Sequence, residues 1–282
     1  MSAVQFHSVA APLLRLQAAA LCRGTQALGP LSVSVQPGER IAILGPSGAG
    51  KSSLLKMMSG EWPVDAGRCA HNGRTLASVP LAVQCRQRAV LAQGSTLSVG
   101  LPAHLVVALG RVARWPDPAL HSIVGHAARL TASEHLLDRR FDSLSGGEQA
   151  RIQLARIFAQ LWDARHGLIL LDEPLTGLDP GLQLCLLQQI DSYAAQRNHA
   201  VIAILHDINQ ALFHFDRLLL MKAGQLHADR PSHPDALADL EFLYGMCLTC
   251  THDDAGNWAI VPRCPSGDPL GLARCGLVQY AR

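Results

Sequence analysis

Apolar positions along this chain switch between a period of two and a period near 3.6, and each switch marks an element. Arg40-Ile41-Ala42-Ile43-Leu44 is a short strand pattern. Leu54, Leu55, Met57 and Met58 then recur at helical spacing. Residues 28–35 predict an earlier strand, turned into the next by Pro37-Gly38-Glu39. The Asn72-Gly73 dipeptide within residues 66–74 signals a hairpin. Val90-Leu91-Ala92-Gln93 reads as a short strand ending on a polar residue. Residues 96–141 carry mixed helical patterning, with loops near Pro102 and Trp115-Pro116-Asp117-Pro118, and residues 147–162 predict a helix. The continuous apolar run 167–171 reads as a buried strand. Helix, strand and helix follow at 182–195, 200–205 and 208–215, then a hairpin around Gly224. The last fifty residues are poorly patterned. Strands alternating with helices predict α/β architecture around a largely parallel sheet.

Composition narrows this little. The 282 residues are 49% hydrophobic, enough for a substantial core, and only 16% charged. A net charge of +2, with no basic run, gives no pull toward nucleic acid. The first sixteen residues lack a signal-peptide pattern, and no window of about 18 apolar residues predicts a membrane span. The chain reads as cytoplasmic. Cys247 and Cys250, with Cys264 and Cys275, could form a zinc site. The second pair lacks zinc-ribbon spacing, so a hairpin around Asp254-Ala255-Gly256-Asn257 is the preferred reading.

The chemistry sits in the loops. Gly45, Pro46, Ser47, Gly48, Ala49, Gly50, Lys51 and Ser52 spell G-x-x-x-x-G-K-[ST], and Ser53 follows. Glycines let backbone N–H groups converge on a phosphate, and the helix start adds unpaired donors. Lys51 would reach the β- and γ-phosphates, and the Ser52 hydroxyl would ligate Mg2+. A second apolar strand ends in Asp172 and Glu173. Asp172 fits a metal-holding carboxylate, and Glu173 a base that orients and deprotonates water. Leu144-Ser145-Gly146-Gly147-Glu148 opens a helix with two glycines, a second anion-binding terminus.

With the P-loop, then the Leu144–Glu148 signature, then the strand-end Asp172–Glu173 pair along the chain, it resembles the ATP-binding subunits of ABC transporters over roughly residues 12–263. The resemblance implies a P-loop NTPase (RecA-like) core with a mainly parallel sheet. It also implies an antiparallel β subdomain and a helical subdomain, about 96–160, carrying the signature; residues 264–282 form an extension. Gln93 matches the family glutamine that contacts Mg2+ and reports to the membrane partner. Leu178-Asp179 resembles the D-loop, and His206 the switch histidine near the γ-phosphate. The aromatic residue that stacks on adenine is missing: its position falls near Cys22, with no Tyr, Phe or Trp nearby in sequence.

The resemblance further implies ATP and Mg2+ as cofactors and a head-to-tail dimer. Each ATP would lie between the P-loop of one copy and Ser145, Gly146, Gly147 and Glu148 of the other, near Asp179. Two permease subunits, a periplasmic binding protein acting indirectly, and the cytoplasmic face of the inner membrane complete the picture. Ser59-Gly60-Glu61, Ala108-Leu109-Gly110-Arg111 and Leu205-His206-Asp207-Ile208-Asn209 resemble importers of iron chelates, cobalamin and haem. Ile152-Gln153-Leu154-Ala155-Arg156, Ala159-Gln160-Leu161-Trp162 and Trp258-Ala259-Ile260-Val261-Pro262 look most like the haem importer ATPases. Cobalamin or ferric-siderophore import, or a soluble non-transport ABC ATPase, are the alternatives.

Overall fold

The protein is represented by a computed structural model that describes residues 11–24, 26–93, 100–252 and 258–263. The chain runs through β1 (Leu14–Arg23), β2 (Gln26–Val35), β3 (Arg40–Leu44), α1 (Lys51–Ser59), β4 (Ala66–His71), β5 (Arg74–Thr75), α2 (Leu81–Gln84) and β6 (Arg88–Leu91). The middle holds α3 (Ala103–Ala108), α4 (Leu120–Leu130), α5 (Gly146–Gln160), β7 (Leu168–Asp172) and α6 (Pro180–Arg197). It closes with β8 (Ala200–Ile204), α7 (Ile208–His214), β9 (Arg217–Lys222), β10 (Gln225–Pro231), α8 (Leu237–Tyr244), β11 (Leu248–His252) and β12 (Trp258–Pro262).

The main sheet has strand order β10-β9-β3-β8-β7-β6. All its pairings are parallel except β9–β10. Its central strands β3, β7 and β8 are almost wholly buried, which explains their continuous Ile, Leu, Val and Ala composition. Register fixes what this sheet presents. Ile204 lies opposite both Ile43 on one side and Asp172 on the other. The residues following β3, β7 and β8 therefore leave the sheet at one level of one edge: Gly45 onward, Glu173, and His206.

The second sheet is antiparallel, in the order β2-β1-β4-β5. Arg217 ties it to the first by donating to the Ser34 carbonyl (2.9 Å) and pairing with Glu39 (2.8 Å). The β9–β10 turn makes a second tie. Gly224 N–H donates to Ala49 O (3.0 Å), and its carbonyl accepts from Gly29 N–H (2.8 Å). A Cβ on Gly224 would sit 2.1 Å from Ala27 O, so only glycine allows this approach. A third layer is helical: α3, α4 and α5 pack through Val106, Val107, Ile123, Ala127 and Phe158.

Two elements escape the sequence pattern. In β1 the buried set Leu14 and Leu16 continues as Ala19 and Leu21, a phase slip of one residue. The cause is a bulge at Ala18, which takes φ 43°. Within the poorly patterned last fifty residues lie α8 and the β11–β12 hairpin. The preferred reading of a C-terminal hairpin holds, although its turn, residues 253–257, lies outside the described residues. So do Cys264, Cys275 and the extension 264–282. Among the described residues no group of three or more His, Cys, Asp or Glu could hold a metal ion, and no helix is long and apolar enough to cross a membrane.

His199, fully buried after α6, accepts the Gly167 N–H on Nδ1 (2.8 Å). That bond places the ring proton on Nε2, which has no partner. Burial, with the nearby Arg197 charge adding to it, pushes its pKa from 6.5 down to about 4. The unfolded chain takes up this proton first. The stability His199 contributes is therefore complete above about pH 6.5 and falls as pH drops toward 4, by on the order of 2–3 kcal/mol. Urea unfolding at pH 7.5, 5.5 and 4.5 should show a shallower pH dependence in His199→Gln than in wild type; identical slopes would contradict this.

Candidate functional site

β3 ends at Leu44, and the chain turns through residues 45–50 before α1 starts at Lys51. Gly45 lies so close to β9 that a Cβ would sit 2.3 Å from Met221 O. Gly50 caps α1 at φ 95°, a left-handed value that favours glycine. Lys51 is only 6% exposed. Its Nζ donates to the carbonyls of Gly45 (2.8 Å) and Pro46 (3.0 Å). Burial lowers its pKa, opposed by the charges of Glu173 and Asp172. The loop is thus a ring of backbone groups closed over an ammonium that no carboxylate among the described residues contacts directly.

Ser52, in the first turn of α1, donates its hydroxyl to Asp172 Oδ1 (3.2 Å). This single bond joins two segments 120 residues apart. Asp172 is 5% exposed. Burial raises its pKa, the Ser52 hydrogen bond opposes this, and the neighbouring Glu173 charge adds to the rise.

Glu173 takes φ 50°, unusual for a residue with a side chain. The backbone twist follows its exit from β7. One carboxylate oxygen accepts from Gln93 Nε2 (2.6 Å), and the other faces His206 Nε2 (2.7 Å). Thr176 Oγ1 donates to Oε2 at 3.4 Å. Gln93, Glu173 and His206, spread over 114 residues of sequence, thus form one hydrogen-bonded row. Thr176 is the residue the motif reading missed; its only sequence signal is a hydroxyl three residues beyond Glu173.

Ser145 caps α5. Its hydroxyl accepts from Glu148 N–H (3.4 Å), while its own N–H donates to Glu148 Oε2 (2.8 Å), a reciprocal capping box. Arg139 holds the other Glu148 oxygen (2.9 Å). The Glu148 pKa is lowered, first by the Ser145 N–H. A Cβ on Gly147 would meet Leu182 of α6 at 2.7 Å, whereas Gly146 faces open space. Gly146 lines a cavity of about 170 Å³ together with Gln93, Asp172 and Glu173. No residue of the 45–53 loop lines it. Asp179 caps α6, accepting the Leu182 N–H (3.0 Å). A second cavity, about 200 Å³, lies between Glu173, Thr176, His206 and Asp207. A third opens between the β1–β2 turn and Gly48, Gly50 and Ser53 of the phosphate loop.

A cradle of backbone donors, a buried ammonium, a Ser–Asp oxygen pair and a carboxylate in a polar row is equipment for binding and cleaving a polyphosphate. The comparisons agree. A model of the ABC transporter family matches residues 28–176. The chain belongs to the ABC transporter family, as an ATP-binding ATPase coupled to transport. The hemin import ATP-binding protein HmuV of Pseudomonas putida (strain KT2440) is 38% identical over 256 residues, covering 89% of this chain and 100% of that protein. A solved chain described as a metal-chelate type ABC transporter in an inward-facing conformation aligns with a TM-score of 0.77 at 21% identity, over 90% of this chain and 99% of that one. An ATP-binding cassette in a dimeric post-hydrolysis state, bound to ADP and Pi, aligns with a TM-score of 0.69 at 20% identity, over 78% and 99%. At these identities the solved structures establish the fold.

The contact between Gly45 and Met221 makes one prediction. Gly45→Ala should cost about 1–3 kcal/mol through overpacking, lowering the thermal midpoint by several degrees. An unchanged midpoint would contradict the close approach.

Proposed function

We propose that this chain is the ATP-hydrolysing subunit of an importer that carries haem across the inner membrane, bound peripherally at its cytoplasmic face. Likeness to the hemin import ATP-binding protein over that protein's full length carries the substrate assignment. Haem is cargo in this reading, not a ligand of the subunit. It crosses through two permease subunits, delivered by a periplasmic binding protein. Residues 1–263 act as the ATP-binding domain, with a helical part over about 96–160; 264–282 is an extension. The weak net charge supports no nucleic-acid partner.

Backbone N–H groups of Gly45, Pro46-flanked Ser47, Gly48, Ala49 and Gly50, with Lys51, hold the β- and γ-phosphates, and Ser53 closes the cradle. Lys51 exchanges its two carbonyl contacts for phosphate oxygens. Ser52, Asp172 and Gln93 offer oxygen donors that suit a hard cation, and burial, which raises the Asp172 pKa, leaves its carboxylate poorly hydrated. These residues would hold Mg2+, whose charge would offset that of the phosphates. Glu173 orients the attacking water and accepts its proton on a carboxylate oxygen. Its left-handed backbone and its contacts to Gln93 and His206 aim that carboxylate. His206 then turns to the γ-phosphate. A second copy supplies Ser145, Gly146, Gly147 and Glu148 at the N-terminus of its α5, with Asp179 near the seam. A twofold head-to-tail dimer so encloses two equal sites.

Glu173→Gln should keep ATP binding and lose about 10²–10⁴ in turnover; equal turnover would remove Glu173 from the role of base. Lys51→Ala should instead lose nucleotide affinity in equilibrium binding, and unchanged affinity would count against the phosphate contact. The cargo is tested with the subunit and its permease in lipid. A haem-loaded binding protein should stimulate ATP hydrolysis. Stimulation only by a cobalamin- or siderophore-loaded protein would change the cargo.

A further inference from the structure

Around Cys22 the sequence offers no aromatic group for a nucleotide base. The fold supplies one from elsewhere. The cavity beside the phosphate loop, about 190 Å³, is lined by Leu21, Arg23 and Gln26 at the β1–β2 turn, by Gly48 and Ser53, and by Trp62 from the loop after α1. Sites for whole drug-sized ligands run roughly 300–1,000 Å³; this volume suits a single ring system attached to phosphates held at the adjoining loop.

Trp62 is held there before any ligand arrives. Its backbone N–H donates to Lys56 O (3.2 Å), ending α1 against the loop. Lys56 Nζ lies 4.6 Å from the indole centroid and pairs with Glu61 (3.5 Å). Three residues on, Asp65 staples the loop to β1. Its N–H donates to Ala20 O (2.9 Å), and its carboxylate accepts from Cys22 N–H (2.6 Å) and from Arg23 Nη1 (3.2 Å). Arg23 also donates to Pro63 O (3.3 Å). The strand end that lacks an aromatic side chain is thus bonded to the loop that carries one.

We propose that Trp62 is the residue that stacks on the purine base of bound nucleotide, in place of an aromatic group at Cys22. This rests on the ATP-binding role of the phosphate loop. Stacking on an aromatic ring is worth about 1–3 kcal/mol per base and reads the π-face rather than the edge. Trp62 therefore strengthens nucleotide binding while discriminating little between adenine and guanine.

The test is titration calorimetry of the full chain with Mg·ATP, Mg·GTP and Mg·tripolyphosphate, which has no base. Trp62→Leu keeps apolar volume and removes the ring. It should weaken ATP and GTP about 5- to 150-fold and leave tripolyphosphate within about twofold, with Trp62→Phe recovering most of the loss. Intact tripolyphosphate binding also reports that the variant is folded. Wild-type tryptophan emission should be quenched by ATP and not by tripolyphosphate, and Trp62→Phe should lose that quench. ATP affinity unchanged in Trp62→Leu, an equal loss for ATP and tripolyphosphate, or a quench that survives in Trp62→Phe would overturn the assignment. Wild type binding tripolyphosphate as tightly as ATP would overturn it too, leaving the phosphate site intact. Wild type binding neither would bring down the nucleotide reading along with it.

Discussion

The parallel register of β3, β8 and β7 is the constraint on which the rest depends. Because Ile204 faces both Ile43 and Asp172, three loops leave the sheet at one level. The glycine loop, the Asp172–Glu173 pair and His206 are brought together by this pairing and by nothing local. Brought there, they find short-range partners: Ser52 with Asp172, and Glu173 between Gln93 and His206. A slip of one residue in either pairing would turn Asp172 to the other face of the sheet.

The charges at that edge are arranged for exchange. Lys51 and Asp172 are both buried, and burial shifts each toward its neutral form. Among the described residues neither is paired with an opposite charge at contact distance; Lys51 rests on carbonyls and Asp172 on a hydroxyl. Desolvated charges with only neutral partners interact strongly with an incoming group of opposite sign. A phosphate suits the first, and a divalent cation the second. The two sheets meet beside this edge through Gly224, whose N–H holds the Ala49 carbonyl of the phosphate loop, while Arg217 ties them at the opposite end of β3.

Much of this was legible in the sequence because it is local. The glycine loop between an Ile-rich strand and a helix, the apolar run ending in two acids, and the Ser-Gly-Gly-Glu helix start are short patterns with direct physical causes. The largely parallel sense of the main sheet followed from the alternation of strands with helices. Three features were not legible. The Ala18 bulge shifts the phase of β1, so a period-two reading loses it midway. Helix α8 packs Leu240 and Leu243 inward but leaves Phe242 exposed, which blurs its apolar stripe. Trp62 lies forty residues from Cys22, and the β1–β4 pairing with the Asp65 and Arg23 hydrogen bonds brings its loop to the cavity.

We propose that one nucleotide is held by the phosphate loop of one copy and the α5 N-terminus of another. The measurement that tests it most directly is cross-linking in the assembled complex in lipid. The chain would carry Ser47→Cys, Ser145→Cys and Glu173→Gln in a background without its native cysteines. The account predicts a covalent species of twice the chain mass that forms with Mg·ATP and not with ADP. A bond formed within a single chain, or a cross-link indifferent to nucleotide, would contradict it.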